Sequence, residues 1–310
     1  MASQLRCPTT ADLPPPRHGV GGWPWTTGSA PLPDRMPDGR PWPLISIVTP
    51  SFNQAEFIEH AIRSVLLQGY PQLEFIIADG GSTDGSADTI LRYAPWITHW
   101  VSEPDAGPAD ALNKGFAAAS GEICGFLNAD DFLLEGSLEK VAMAFRAQPS
   151  ADVISGHGYF ADTSGKLGVR VYSDRWHLDR FLHGTCVLFQ PATFFRRSWF
   201  DKARGFKASR STWDMELWAD MANAGAAFDT TDEYLAAFRL HAGSITGAAV
   251  SRQDRVQDAE GIRNRLRGRP ASRLERFHGL GYRAQRFARH PLRTLRQRLY
   301  FYVTLGRWSL

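Results

Sequence analysis

Cysteine is scarce in this 310-residue sequence, which contains three cysteines without any paired spacing. Cys7, Cys124 and Cys186 are odd in number and far apart, so they predict neither a disulfide framework nor a zinc site. Unpaired thiols are typical of a reducing compartment. We therefore expect the protein to be cytoplasmic.

Long apolar runs are missing as well. No run approaches the roughly 18 residues that a membrane-spanning helix needs. The N-terminal residues MASQLRCPTT also lack the apolar core of a signal peptide. The sequence thus predicts a chain that neither spans a membrane nor is exported through a cleaved leader.

Two common phosphate-binding glycine motifs are absent. The sequence has no G-x-x-x-x-G-K-[ST] motif, and the glycines after Asp79 lack the G-x-G-x-x-G spacing that places a dinucleotide at a helix N-terminus. These absences disfavour a P-loop enzyme and a dehydrogenase.

Apolar segments that end in polar or acidic residues are present instead. They are 44–49 before Pro50, 73–78 before Asp79, and 123–127 before Asn128, Asp130 and Asp131. Helical patterns over 55–68, 86–93 and 108–120 separate these segments, with a short strand predicted at 99–101. This alternation predicts an α/β fold with an open, doubly wound, mostly parallel sheet flanked by helices.

The acidic loops predict a ligand site at one edge of that sheet. Ligands of parallel α/β sheets collect at the carboxyl ends of the strands, and carboxylate oxygens suit Mg²⁺ or Mn²⁺ carried in with phosphates. Taken alone, the adjacent Asp130 and Asp131 are equally typical of a solvated turn or a helix start. The second acidic loop at Asp79 favours the ligand site.

From Ile45 to about Thr246 the sequence resembles a family 2 glycosyltransferase of the inverting, GT-A type. The resemblance lies in ordered segments, which are ISIVTPSFNQAEFIEHAIRSVLLQ, EFIIADGGSTDGS, WVSEPDAGPADALNKG, GEICGFLNADD, WDMELWADMANAG and FRLHAGSIT. It implies transfer of a sugar from a nucleotide diphosphate sugar, most simply a UDP-sugar, to a hydroxyl of a glycan or lipid-linked acceptor. Bacterial cell-surface polysaccharide synthesis is the implied setting.

The resemblance also implies roles for particular residues. Donor binding falls to Thr49, Pro50, Phe52, Asp79, Gly81, Asp84, Asp110, Lys114, Asn128 and Ala129. The NADD run matches the family's D-x-D element, so Asp130 would hold Mn²⁺ or Mg²⁺, with His241 as a second candidate. Asn128 stands where the family has an acidic residue, and the lost charge is expected to weaken metal binding.

Asp214 matches the position of the family's catalytic base, with Glu216 as the fallback. On local sequence alone, Asp214 also reads as part of an N-terminal cap with Ser211. On local sequence alone, His241 is more typical of a structural histidine than of a ligand, and Lys114 is more typical of an i,i+4 ion-pair partner of Asp110 than of a donor-binding residue. Aromatic and histidine side chains suited to a sugar acceptor are Trp176, His177, His183 and Trp213.

The domain boundaries follow composition. Residues 1–43 are rich in Pro and Gly and predict irregular chain, and 44–248 form the catalytic domain, with 44–135 as the donor half and 136–248 as the acceptor half. Residues 249–310 predict an arginine-rich helical extension.

Charge is unevenly distributed between these parts. Residues 251–310 contain 15 Arg, no Lys and four acidic residues, a formal charge of +11, which leaves −8 for the rest of a chain whose total is +3. Such an extension suits an anionic membrane surface or a helix packed on the catalytic domain. It contains no motif for reading nucleic acid, and we expect no nucleic-acid partner. A catalytically silent family member that acts as a scaffold is the alternative, because of Asn128.

Overall fold

The computed structural model describes residues 7–17, 19–184, 186–208, 212–244, 252–289 and 291–305. The strands in these ranges are β1 (Ile45–Ser51), β2 (Leu73–Asp79), β3 (His99–Ser102), β4 (Ile123–Phe126), β5 (Phe132–Leu133), β6 (Val153–Ala161), β7 (Leu167–Val171), β8 (Thr193–Arg196) and β9 (Phe228–Arg239). The helices are α1 (Ile58–Leu66), α2 (Ser86–Tyr93), α3 (Pro108–Ala118), α4 (Ser137–Ala147), α5 (Leu178–Leu182), α6 (Arg197–Ala203), α7 (Trp213–Asn223), α8 (Arg252–Arg267), α9 (Arg273–Arg289) and α10 (Pro291–Leu305).

The strands form one sheet in the order β3-β2-β1-β4-β8-β6-β9-β5, with β7 paired to β6. The first four strands of this order are parallel to one another, as the alternation of strands and helices predicts. Their carboxyl ends therefore open at one edge, where ligands bind in parallel sheets. The predicted α/β fold with parallel strands flanked by helices is confirmed.

The second half of the sheet is mixed. Strand β8 runs antiparallel to both β4 and β6, while β6 and β9 are parallel and β5 is antiparallel to β9. The pairing of β6 with β9 joins strands far apart in sequence, so local patterns carry no signal for it. This half supplies the far wall of the site.

Alternation along β1 divides the core between two faces of the sheet. Ile45 and Ile47 pack with α1, α2 and α4 on one face, whereas Val48 packs with α3, α6 and α7 on the other. Gly115 of α3 lies directly against Val48, where even a methyl group would overlap the valine side chain. Helices therefore cover both faces, which explains why the parallel strands are continuous apolar runs.

Helix α1 begins later than the pattern over 55–68 predicts. The amides of Asn53, Gln54 and Ala55 donate at 2.8–2.9 Å to Ser82 Oγ, Ser86 Oγ and an Asp84 carboxylate oxygen. Ser82 and Asp84 belong to the loop after β2 and Ser86 is the first residue of α2, so hydrogen bonds join the two loops and the chain turns before it enters α1. The hydrogen bonds position the residues after β1 at the sheet edge.

The segment before β1 packs on α1 without forming a helix or a strand in its described part. The guanidinium of the fully buried Arg63 donates to the carbonyl oxygens of Pro14, Pro24 and Trp25. Trp23 Nε1 donates to Leu133 O at 2.9 Å. These contacts attach a Pro- and Gly-rich segment to the domain.

After β9 the chain continues into three successive helices. Helix α8 packs against α7, since Arg265 contacts Glu216 and Asp220 at 3.0 Å each. Among the described helices, none combines the length and the apolar character that crossing a bilayer requires. The described part of the arginine-rich extension consists mainly of helices α8, α9 and α10.

Candidate active site

A cavity of about 480 Å³ lies at the carboxyl edge of the parallel strands. Six of the predicted site residues line it, namely Pro50, Phe52, Asn128, Ala129, Asp130 and Asp214. Residues that the resemblance did not single out complete the wall, among them Ser51, Gln54, Gly80, Asp105, Gln190 and Ser244. The cavity is concave and lined by several polar groups, as small-molecule sites are.

The two predicted metal ligands lie in contact. His241 Nε2 is 3.0 Å from Asp130 Oδ2, and the side chains are 9% and 14% exposed. Phe57 packs on the imidazole with ring centroids 4.5 Å apart. No cluster of three or more potential His, Cys, Asp or Glu ligands occurs in the described ranges. One carboxylate and one imidazole still suit an ion that takes its remaining oxygens from a diphosphate and water.

Asp131, the neighbour of Asp130, turns away from the cavity into the interior. It is 1% exposed, its Oδ1 accepts from the Arg239 amide at 2.9 Å, and its Oδ2 has no hydrogen-bond partner. Burial, followed by the charge of Asp130, raises the pKa of Asp131 well above its usual value. The adjacent carboxylates therefore divide into one cavity residue and one structural residue.

Arg239 supports the backbone on which Asp130 sits. Its Nε donates to Asp130 O at 2.7 Å and its Nη1 to Thr163 O at 2.7 Å. Its Nη2 lies 3.0 Å from His60 Nδ1, which must accept because the guanidinium only donates. Burial, with the nearby charge of Arg239, lowers the pKa of His60 to about 3, so this histidine is neutral.

Asp214 enters the cavity from the first turn of α7. Its Oδ1 accepts from the Met215 amide at 2.8 Å. The side chain is partly exposed to the cavity, yet the surrounding protein atoms desolvate it and raise its pKa to about 6. The residue at the N-cap is Thr212, and the proposed cap partner Ser211 lies outside the described residues. Asp214 is thus a carboxylate made more basic by burial.

Glu216, the fallback base, points to a different contact. It pairs with Arg265 of α8 at 3.0 Å and does not line the cavity. Of the aromatic and histidine residues expected near an acceptor, Trp213 lines the cavity, whereas Trp176 packs between Phe181 and Phe228. Asp214 is the better placed carboxylate.

Asp79 and Asp84 brace the loops beside the cavity. Asp79 is 2% exposed and accepts from Ser82 Oγ at 2.6 Å and Ser102 Oγ at 2.7 Å. Asp84 accepts from the Ala55 amide and from Ser86 Oγ. In this structure both carboxylates are occupied by the protein itself. Thr49, Gly81, Asp79 and Asp84 surround the site without lining the cavity.

Lys114 and Asp110 lie on the exposed side of α3. Lys114 Nζ is 3.0 Å from Glu103 and 3.6 Å from Asp110, and neither Lys114 nor Asp110 lines the cavity. The i,i+4 ion pair that the sequence predicts is present. Their predicted role in donor binding stays a prediction.

The sequence reasoning missed Asp105. This carboxylate lines the cavity, accepts from the Gly107 amide at 2.7 Å and faces Gly80, where a Cβ would come within 2.6 Å of its Oδ2. The signal was available, because EPDAGP is a third acidic loop that follows a parallel strand. Three of the four parallel strands, β2, β3 and β4, are therefore followed by acidic loops.

Residues 46–203 match the model of glycosyl transferase family 2. The chain belongs to this family. It is a glycosyltransferase, and the fold and the position of the cavity agree with that assignment.

Curated relatives of this glycosyltransferase carry related names. It is 28% identical over 237 residues to an uncharacterized glycosyltransferase of Nostoc sp., covering 70% of this chain and 72% of the relative. It is 33% identical to the putative teichuronic acid biosynthesis glycosyltransferase TuaG of Bacillus subtilis, over 46% of this chain and 53% of TuaG. The O-antigen biosynthesis protein RfbC of Myxococcus xanthus is 34% identical, over 44% of this chain and 11% of RfbC.

Solved structures show the same fold at low sequence identity. S. aureus TarS in complex with UDP-GlcNAc matches this glycosyltransferase with a TM-score of 0.59 and 18% identity, over 76% of this chain and 69% of that one. The mannosyltransferase PcManGT of Pyrobaculum calidifontis, in complex with GDP-Man and Mn²⁺, matches with a TM-score of 0.58 and 21% identity, over 80% of this chain and 72% of that one.

Proposed function

We propose that this glycosyltransferase moves a sugar, with inversion, from a nucleotide diphosphate sugar to a hydroxyl of a glycan or lipid-linked acceptor. The observation that carries the proposal is that Asp130 and Asp214 line one cavity at the end of the parallel strands. Asp130 suits a cation that binds the leaving diphosphate, and Asp214 suits the proton of the attacking hydroxyl. The names of TuaG and RfbC support a role in cell-surface polysaccharide synthesis.

Donor binding is proposed at the edge formed by β1, β2 and β4. Pro50, Ser51 and Phe52 lie on one side of the cavity, and Asn128 and Ala129 lie on the other. Ser51 Oγ is buried without a partner, so the cavity wall contains a polar atom that the protein leaves unpaired. A UDP-sugar is the first donor to test, because the TarS complex contains UDP-GlcNAc, with GDP- and dTDP-sugars as the next candidates.

Asp130 and His241 would hold a Mn²⁺ or Mg²⁺ ion. When bound, the ion neutralises charge that develops on the departing diphosphate, an effect of several kcal/mol on such barriers. Arg239 keeps Asp130 in place by binding its carbonyl oxygen, and Phe57 fixes the plane of His241. Asn128 donates to Gln190 Oε1 at 3.2 Å, so this neighbour helps to orient its amide.

Asp214 is the proposed general base. A single displacement that inverts the anomeric carbon needs one base and no protein nucleophile, as in inverting glycoside hydrolysis. With a pKa of about 6, this carboxylate is mostly ionised at neutral pH yet more basic than an ordinary aspartate. It therefore accepts the hydroxyl proton more readily than a solvated carboxylate does.

Thermal shift measurements with a panel of nucleotide sugars, with and without Mn²⁺, test the proposal. We expect one donor class to raise the melting temperature of the full chain in the presence of Mn²⁺, because a ligand that binds only the folded state stabilises it. Asp130→Ala should remove the Mn²⁺-dependent shift. Asp214→Asn should keep the shift and lose transfer.

Glu216→Gln is the matched control, because it changes a carboxylate of the same helix outside the cavity. It should retain both the shift and transfer. If no nucleotide sugar raises the melting temperature of the wild type, the proposed activity is wrong and the scaffold alternative gains support. Normal transfer by Asp214→Asn would refute the base assignment alone.

A further inference from the structure

Helices α9 and α10 expose apolar side chains along one face each. On α9, Leu274, Phe277 and Leu280 are 65%, 70% and 58% exposed. On α10, Leu292, Leu295, Leu299 and Val303 are 71%, 52%, 55% and 72% exposed. Their spacing of three or four residues places each set on a single side of its helix. We call these seven residues the apolar face.

The opposite sides of the same helices make the contacts with the domain. Tyr282 of α9 donates its hydroxyl to Asp179, and the buried Gly279 lies against His183. On α10, Gln297 Nε2 donates to Arg170 O at 2.7 Å and Tyr300 packs on Gly168 of β7. Helices on a protein surface normally bury the apolar side and expose the polar one. The reversed arrangement indicates that something covers the apolar face.

The charge of α9 and α10 indicates what covers the apolar face. Between 273 and 305 the chain contains eight arginines and a single glutamate, and the side chains of Arg273, Arg283 and Arg296 are exposed. A second copy of this chain would bring another strongly basic extension against the first, which like-charge repulsion opposes. An anionic lipid surface instead attracts the arginines and accepts the apolar side chains between its head groups.

We propose that α9 and α10 form a docking surface for an anionic membrane, with the helices lying in the plane of the interface. Helix α8 links this surface to the catalytic domain, because Ile262 packs with Phe181 and Ala219 while Arg265 binds Glu216 and Asp220 of α7. The docking surface shares no residue with the cavity. Its test therefore needs neither donor nor transfer.

Co-sedimentation of the full chain with vesicles tests this surface. The wild type should bind vesicles of phosphatidylcholine mixed with phosphatidylglycerol, and should bind vesicles of phosphatidylcholine alone far more weakly. The double variant Phe277→Ser with Leu292→Ser should lower the partition coefficient at least roughly tenfold, because two large side chains no longer enter the apolar layer. Changing Arg273, Arg283 and Arg296 to Gln should lower it roughly a hundredfold.

Leu91→Ser is the matched control, since Leu91 on α2 is 59% exposed and outside the docking surface. It should bind vesicles as the wild type does. All the substituted side chains are exposed, so the variants should have the melting temperature of the wild type. A thermal scan of each variant checks this.

The proposal is overturned if the wild type does not bind the anionic vesicles. It is also overturned if the Phe277→Ser, Leu292→Ser variant binds them as tightly as the wild type, because binding would then be ionic and independent of the apolar face. A wild type that light scattering shows to be a dimer, and that this variant converts to a monomer, would assign the face to a second copy.

Discussion

Replacing Asp214 by asparagine should make the protein more stable at neutral pH while it slows transfer by about a hundredfold or more. Burial raises the pKa of Asp214 from its ordinary value of 3.8 to about 6. Between these values the folded state holds a proton that the unfolded state has lost. The contribution of protonated Asp214 to the free energy of unfolding is therefore fully present below pH 4, and it is lost as the pH rises through about 6.

The magnitude follows from the shift. Two pKa units correspond to about 3 kcal/mol, which is the cost of keeping the Asp214 carboxylate ionised in the folded protein above pH 7. Asparagine removes that cost and retains an oxygen that can accept from the Met215 amide. The two N–H groups of the new amide have no partner that the carboxylate contacts provide, which lowers the free energy of unfolding by about 1 kcal/mol. We expect a net gain of about 2 kcal/mol.

Thermal melting of both proteins from pH 4 to pH 8 measures this effect. The difference in melting temperature should be small near pH 4 and should grow to about 4 °C at pH 8. Comparing the two proteins at each pH cancels the other titrating groups. Glu216→Gln, which loses an ion pair with Arg265, should show no gain at any pH.

Activity supplies the second readout. For the wild type, kcat/KM should rise about tenfold between pH 5 and pH 7, as a base with a pKa of about 6 becomes ionised. Asp214→Asn should lose about 10² to 10⁴ in rate. A variant that is less stable than the wild type at pH 8, or a wild-type rate that is flat between pH 5 and pH 7, would refute the reasoning.

Three further substitutions test residues that line the cavity or hold the surrounding fold in place. Arg239→Leu should destabilise the fold by about 3 kcal/mol or more in denaturant titrations and weaken Mn²⁺-dependent donor binding, since Asp130 O loses its donor. Gly115→Ala should cost about 1–3 kcal/mol by the same measurement, because the methyl group meets Val48, and adding Val48→Ala should restore most of it. Asp105→Asn should weaken donor binding about tenfold by calorimetry without lowering the melting temperature.

The parallel half of the fold was predictable because its signals are local. Continuous apolar runs over 73–78 and 123–127 indicated strands covered on both faces, and the helical patterns between them indicated crossovers. Strands β2 and β4 lie where those runs predict them. The same rule applied to β3 predicts Asp105, because the acidic segment EPDAGP follows that strand directly.

The second half was less predictable because long-range pairing decides it. Strand β9 begins at Phe228, earlier than the apolar run that starts near Tyr234, because its first residues pair with β6. The local hydrophobic pattern of these residues does not predict their pairing with β6. The 3.0 Å contact between His241 and Asp130 likewise joins two loops 111 residues apart, and the sequence alone favoured a structural histidine.

Adjacent carboxylates show how tertiary contacts divide residues that look alike in sequence. Asp130 and Asp131 follow the same strand, yet one lines the cavity and the other is 1% exposed beneath Arg239. Their opposite directions arise because the Arg239 amide binds the Asp131 side chain while its guanidinium binds the Asp130 carbonyl. A single residue of β9 thus binds both residues, Asp131 in the interior and Asp130 at the cavity. For this reason Arg239→Leu should disturb the cavity even though Arg239 is absent from its lining.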